Sequence, residues 1–106
     1  MKNKRRRNIL AQTKGYRFDR SSKERVAKEA IHHAGVYAFT HRRNKKRDFR
    51  QLFTLRINAA VRPLGYSYSK FMGEVIKKGI HLDRKSLATL AKDHEAVFAR
   101  VVATIK

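Results

Sequence analysis

At 106 residues the chain is long enough for one domain with an extension, and its 27 Lys and Arg against 8 Asp and Glu give a formal net charge of +19. That excess points to nucleic acid or an anionic membrane surface as partner. With no cysteine the chain has no disulfide or thiolate-held metal. No apolar run nears the roughly 18 residues of a membrane-spanning helix, and the basic start lacks the apolar centre of a signal peptide, so a soluble intracellular protein is expected.

The charge is uneven. Residues 1–62 hold 19 of the cations and 4 of the acids, so the N-terminal part is expected to bind and the remainder to fold. The chain opens with Lys2, Lys4, Arg5, Arg6 and Arg7, followed by Ile9, Leu10, Lys14, Gly15, Tyr16, Arg17 and Arg20. Too few apolar groups occur here to offset the entropy of ordering, so the segment is expected to order on a partner, with a helix over residues 5–14 that stops at Gly15. Such a run alone also fits a solvated tail or a localisation signal; a second basic block argues against that.

From Ser21 to Arg62 no proline interrupts the chain, and the spacing predicts one helix capped by Ser21 or Ser22 and stopped by Pro63 and Gly65. At 1.5 Å per residue it would span roughly 60 Å, more than a chain of this size can bury. Its first part carries Arg25 and the small residues Ala27, Ala30, Ala34, Gly35 and Ala38. Gly35 costs about 1 kcal/mol against alanine in a helix, so it is expected to mark a bend or make room for another backbone. Tyr37 and Phe39 could pack or stack on unpaired bases. Arg42, Arg43, Lys45, Lys46, Arg47 and Arg50 then place six cations in nine residues, opposed only by Asp48. At 100° per residue they cover every face, so this length needs a polyanion outside the chain.

Beyond the block, Phe49, Phe53, Ile57 and Ala60 recur at three- and four-residue steps with Leu52 beside them, a face able to enter a core. Tyr68–Lys78 reads as a helix capped by Ser67 and stopped at Gly79, with Tyr68, Phe71, Met72, Val75 and Ile76 on one side. Asp83 caps a short helix carrying Leu87 and Leu90, and Asp93 is expected to cap a last one carrying Val97, Phe98, Val101, Val102 and Ile105. The fold class is therefore all-α: a basic N-terminal arm and one long helix leading into a small C-terminal helical bundle. The expected division is a basic extension over residues 1–47 and a compact helical domain over 48–106.

Catalysis and cofactor binding find no support. The eight carboxylates are scattered, and Glu24 and Glu29 sit one residue beyond the spacing that would align them on a helix. His32 and His33 are adjacent and point to different faces; His41, His81 and His94 show no metal-ligand spacing. No glycine-rich phosphate loop or nucleophile signature occurs. No enzyme activity, cofactor, metal or small-molecule substrate is expected. Arg50, Arg56, Lys70, Lys77, Lys78, Arg84 and Lys85 are the cations offered by the folding part, and arginine among them can fork onto phosphate or base edges.

Lys45-Lys-Arg-Asp-Phe-Arg-Gln-Leu-Phe-Thr-Leu-Arg-Ile-Asn-Ala-Ala60 closely resembles the bacterial-type large-subunit ribosomal protein twenty, the L-twenty family. The likeness extends to Thr13-Lys-Gly-Tyr16, Ala34-Gly-Val-Tyr-Ala-Phe39, Arg42-Arg43, Gly65-Tyr-Ser-Tyr-Ser-Lys-Phe71 and Leu82-Asp-Arg-Lys85, in family order from about Arg6 onward. The resemblance implies an all-helical ribosomal protein whose basic extension threads large-subunit ribosomal RNA and whose compact domain sits on the RNA surface. It implies an early part in subunit assembly, neighbouring large-subunit proteins as partners, and a cytoplasmic ribosome, or an organellar one. It implies no catalysis; some members also repress their own messenger. Against the family pattern the arm begins about eight residues late, Phe53 stands where tryptophan is common, and Pro63 replaces a helix-compatible residue.

The residues expected to meet RNA are Lys4, Arg5, Arg6, Arg7, Lys14, Tyr16, Arg17, Arg20, Arg25, Tyr37, Arg42, Arg43, Lys45, Lys46, Arg47, Arg50, Arg56, Lys70, Arg84 and Lys85. Capture by counterion release, then helix formation in an RNA groove, is the expected mechanism. A-form RNA hides its base edges, so recognition should rest on shape and backbone, with Tyr37 or Tyr16 stacking at bulges. No homo-oligomer and no membrane contact is expected, since the basic block lacks the apolar face of a membrane-surface helix. A DNA-binding basic helix or histone-like protein is the alternative, though no leucine heptad follows the block.

Overall fold

The computed structural model describes residues 2–106, and every regular element among them is helical. The order is α1 (Lys2–Gln12), a 3-10 turn at Phe18–Ser21, α2 (Glu24–Val61), a 3-10 turn at Arg62–Leu64, α3 (Tyr68–Lys77), α4 (Arg84–Asp93) and α5 (Glu95–Ile105). The chain divides into two compact units, residues 1–44 and 45–106, with α2 contributing to both.

In the first unit, α1 begins three residues before its expected start and ends two before the expected stop. The reason lies in Thr13, whose amide and hydroxyl both donate to the Leu10 carbonyl, at 3.2 and 3.3 Å. Thr13 is completely buried, so the helix gives way there to a turn over residues 13–15 that ends at Gly15. Ala27 is the other fully buried residue of this unit, with Ile9, Leu10, Val26, Ala30 and Ile31 half-buried. Arg6 donates to the Ser22 carbonyl at 3.0 Å.

The long helix starts at Glu24, not at the serine pair. Ser21 closes the preceding 3-10 turn, its hydroxyl donating back to the Phe18 carbonyl at 3.1 Å, and Ser22 follows as the residue that ends the turn. Lys23 stands at the cap position, its carbonyl accepting the Ala27 amide at 2.9 Å, so both serines fall too early in the chain to cap this helix. From Glu24 the helix runs 38 residues to Val61 without interruption, including Gly35. An added Cβ at Gly35 would meet nothing within 4 Å, so the protein's own packing does not require glycine there.

The stops fall where expected. Arg62–Leu64 tightens into a 3-10 turn around Pro63, and the Gly65 and Tyr66 amides donate to the Arg62 and Val61 carbonyls, both at 3.1 Å. Gly15, Gly65 and Gly79 take positive φ of 88°, 86° and 66°, a conformation that glycine holds without steric cost.

The core of the second unit joins Ile57 and Val61 of α2, Phe71 and Val75 of α3, Leu87, Ala88 and Ala91 of α4, and Phe98, Val102 and Ile105 of α5. The Phe71 and Phe98 rings meet at 5.8 Å between centroids and 48° between planes, a tilted pairing their quadrupoles favour. Three expected core residues face out instead. Phe49 is 49% exposed and leans on half-buried Phe53, Ile76 is 72% exposed, and Val97 is 44% exposed. Each lies at the margin of an apolar stripe wider than the neighbouring helices cover.

The caps divide similarly. Asp83 accepts the Ser86 amide at 2.7 Å and starts α4 as expected. Ser67 holds the extended backbone of an N-cap, and the Phe71 amide donates to its carbonyl at 3.0 Å, yet its hydroxyl makes no capping bond. Asp93 caps nothing: it is the last residue of α4, and His94 is the joint, taking up the Phe98 amide at 3.0 Å.

The Ser86 backbone amide, then its side chain, holds the Asp83 carboxyl below its ordinary value of 3.8, against an opposing desolvation effect and with a lesser pull from Lys85. A carboxylate with a lowered folded-state pKa stabilises the fold above its unfolded value and loses that effect as pH falls through the lower, folded value. Asp83→Ala should therefore speed amide exchange at Ser86 near neutral pH, and the difference from the unaltered chain should vanish in acid. Asp83→Ser, which restores an acceptor, should recover protection without the acid dependence.

Candidate nucleic-acid interface

A helix stays in water along its whole circumference only when no neighbour covers it, and α2 does so through its middle. Residues 32–43 and 45–51 are all exposed, with Asn44 alone half-buried between them. This length contains Tyr37, Arg42, Arg43, Lys45, Lys46, Arg47 and Arg50 of the expected contacts. The Arg42 guanidinium lies 5.8 Å from the centre of the Phe39 ring, so one cation is already pinned over an aromatic face.

Rings as well as charges are displayed. His33, Tyr37 and His41 sit four residues apart and form a ladder along one face, with centroids 6.1 and 6.0 Å apart and planes within 24° and 13°. The Glu29 carboxylate lies 3.6 Å from the His33 imidazole at its foot. Val36, Tyr37 and Phe39 are 62%, 57% and 62% exposed, an apolar display that water alone does not favour.

Within the first unit, a cavity of about 400 Å³ is lined by Tyr16, Arg20, Val26, Glu29, Ala30, His33, Ala34 and Tyr37. The two tyrosines expected to stack on bases therefore border one concavity, together with an arginine of the expected set. Sequence spacing could not bring Tyr16 and Tyr37 together, because the turn at residues 13–21 that does so rests on buried Thr13. Glu29 and His33, which line the same cavity, carried no signal beyond their helical spacing.

Lys4, Arg5, Arg6 and Arg7 are exposed on α1, Lys14, Tyr16 and Arg17 on the following turn, Arg20 in the 3-10 turn, and Arg25 at the start of α2. In the second unit Lys70 and Lys85 are exposed, whereas Arg56 and Arg84 are half-buried. Arg84 uses its Nε hydrogen on the Tyr68 hydroxyl at 2.9 Å, which fixes its guanidinium against the bundle. Arg56 edges a groove of about 580 Å³ whose other walls include Ala59, Ala60, Pro63, Leu64 and Phe98.

The acids do not form a site. Asp19, Glu24 and Glu74 pair with Lys23, Lys28 and Lys77 at 3.0–3.2 Å, all partly exposed and within one helical turn, a kind of pair worth little in water. No group of three or more His, Asp or Glu that could hold a metal occurs among the described residues, and none of their helices is long and apolar enough to cross a membrane.

The family model described as Ribosomal protein L20 matches residues 1–101. The large ribosomal subunit protein bL20 of Roseiflexus sp. (strain RS-1) is 51% identical over 102 residues, which cover 96% of this chain and 87% of that protein. Those of Leptospira biflexa serovar Patoc (strain Patoc 1 / Ames) and Bordetella avium (strain 197N) are each 50% identical over 102 residues, 96% of this chain and 87% and 86% of theirs.

Proposed function

The chain belongs to the ribosomal protein L20 family, and on that footing we propose that, as a structural constituent of the large ribosomal subunit, it binds large-subunit ribosomal RNA and supports early subunit assembly. The observation that carries this reading is the exposed middle of α2, where six cations in nine residues and three ringed side chains in register stand on a helix that its own chain leaves in water. RNA phosphates supply the neutralisation such a helix lacks, and the displaced counterions supply the driving entropy. The role is structural and not catalytic.

Residues 1–47 act as the extension that enters the RNA, and residues 48–106 as the compact part that docks on it. The extension gains order as it binds, since α1 buries none of its residues and has little of its own to hold it. Tyr16 and Tyr37, bordering one cavity beside Arg20, are the place for an unstacked base. The DNA-binding alternative gains nothing from the family match. Whether the chain also represses its own messenger follows from the same RNA-binding surface, if that messenger imitates the ribosomal site.

Chemical footprinting on intact large-subunit ribosomal RNA across a salt series tests the reading. A compact protected patch that survives rising salt is expected, alongside overall binding whose logarithm falls steeply with the logarithm of salt. Diffuse protection that disappears all at once at moderate salt would mark a non-specific polycation.

A further inference from the structure

Phe18 stands apart from every other aromatic residue of the chain. Its φ is +54°, it is the one described non-glycine residue with a positive φ, and it is 89% exposed. L side chains seldom adopt this backbone conformation, and a bulky one does so only when the surroundings impose it. Packing does not compensate, because a ring so far in water gains little from folding. Glycine would hold the same turn without strain.

The turn that presents the ring is tied down on its C-terminal side. The Ser21 hydroxyl donates to the Phe18 carbonyl at 3.1 Å, and the Ser22 and Lys23 amides donate to the Asp19 carbonyl at 3.2 and 2.8 Å. Arg17 lies one residue before Phe18 in the chain and Arg20 two residues after it, and both are exposed. An exposed apolar ring with an arginine on either side of it in the chain fits a polymer that alternates phosphates with flat, stackable bases. Apolar wedges of this kind insert at base steps in other nucleic-acid complexes.

We infer that Phe18 is an aromatic wedge that stacks on an unpaired or helix-terminal nucleobase of the bound RNA, while Arg17 and Arg20 hold the adjoining phosphates. The inference rests on the RNA-binding reading above and adds to it a contact outside the basic block. The strained backbone is then the cost of aiming a ring outward, recovered only on the complex.

The test compares the full chain with Phe18→Gly and Phe18→Tyr for binding to a large-subunit ribosomal RNA transcript at several salt concentrations, with thermal melting of each free chain. Phe18→Gly removes the ring and relaxes the backbone. Its affinity should fall about tenfold, the effect of losing one stacked base. Its slope of log K against log salt should not change, because no phosphate contact is lost, and its melting midpoint should be unchanged or raised. Phe18→Tyr should bind like the unaltered chain. Equal binding by Phe18→Gly and the unaltered chain overturns the wedge alone, as does a lowered melting midpoint with a matching loss of affinity, which would make Phe18 a packing residue. Failure of the unaltered chain to bind this RNA overturns the wedge and the RNA-binding reading together.

Discussion

Replacing Arg42, Arg43, Lys45 and Lys46 together by alanine should weaken binding to large-subunit ribosomal RNA by about three decades at 0.1 M salt and reduce the slope of log K against log salt by about three. Each cation seated on a phosphate releases somewhat less than one counterion, and at 0.1 M each release is worth nearly a factor of ten. The four side chains are exposed, so their loss removes little from either unit's packing. The free chain should move the other way. Alanine is the best helix former, and thinning six cations in nine residues relieves their mutual repulsion, so helix content measured by circular dichroism should rise as binding falls. Titrations between 0.05 and 0.3 M salt would read the slope. A change of less than one would mean that the block is a solvated face and that the RNA contacts lie elsewhere.

That opposition of signs follows from a feature legible in the sequence. A run of cations on all faces of a helix carries more charge than the one acid within it, Asp48, can balance, whatever the rest of the chain does. The stops at Pro63, Gly65 and Gly79 and the cap at Asp83 were legible for a similar reason, since each depends on backbone chemistry within four residues. What the sequence concealed depends on distance. Phe49, Ile76 and Val97 satisfy the apolar period, yet the bundle is too small to cover the edges of its own stripes, and periodicity does not say which edge is left out. Asp93 has the right chemistry for a cap, but α4 runs through it and leaves His94 at the joint.

The candidate site divides along the same line. The exposure of the expected cations, Arg56 and Arg84 apart, was legible from the sequence, because exposure is the ordinary state of a charged side chain. Two features were not. The cavity shared by Tyr16, Arg20 and Tyr37 requires a turn set by the burial of Thr13, an unremarkable residue in the sequence. Phe18 carries a conformation that sequence reasoning assigns to glycine, and its exposure reverses the usual expectation for a phenylalanine.

Phe71→Ala should unfold the bundle while leaving the basic block intact, which separates what the two parts contribute to RNA binding. Phe71 is fully buried and paired with Phe98, and truncating such a ring costs about 3–5 kcal/mol through lost burial and the cavity left behind. A unit of this size has roughly 3–9 kcal/mol of stability in all, so at 37 °C much of the bundle should be lost. Urea unfolding and the dispersion of methyl resonances from Val75, Leu87 and Val102 would report this. Val75→Ala, a smaller deletion, should lower the denaturant midpoint and still leave a folded core. On RNA, Phe71→Ala should keep most of the salt slope, because every cation of residues 42–50 remains. It should lose the salt-resistant footprint, because on the proposed reading the compact part docks through Arg84 held on Tyr68 and the helices held around Phe71. If the compact footprint survives in a chain whose bundle is unfolded, specificity lies in the extension, and the C-terminal helices serve only to anchor one end of α2.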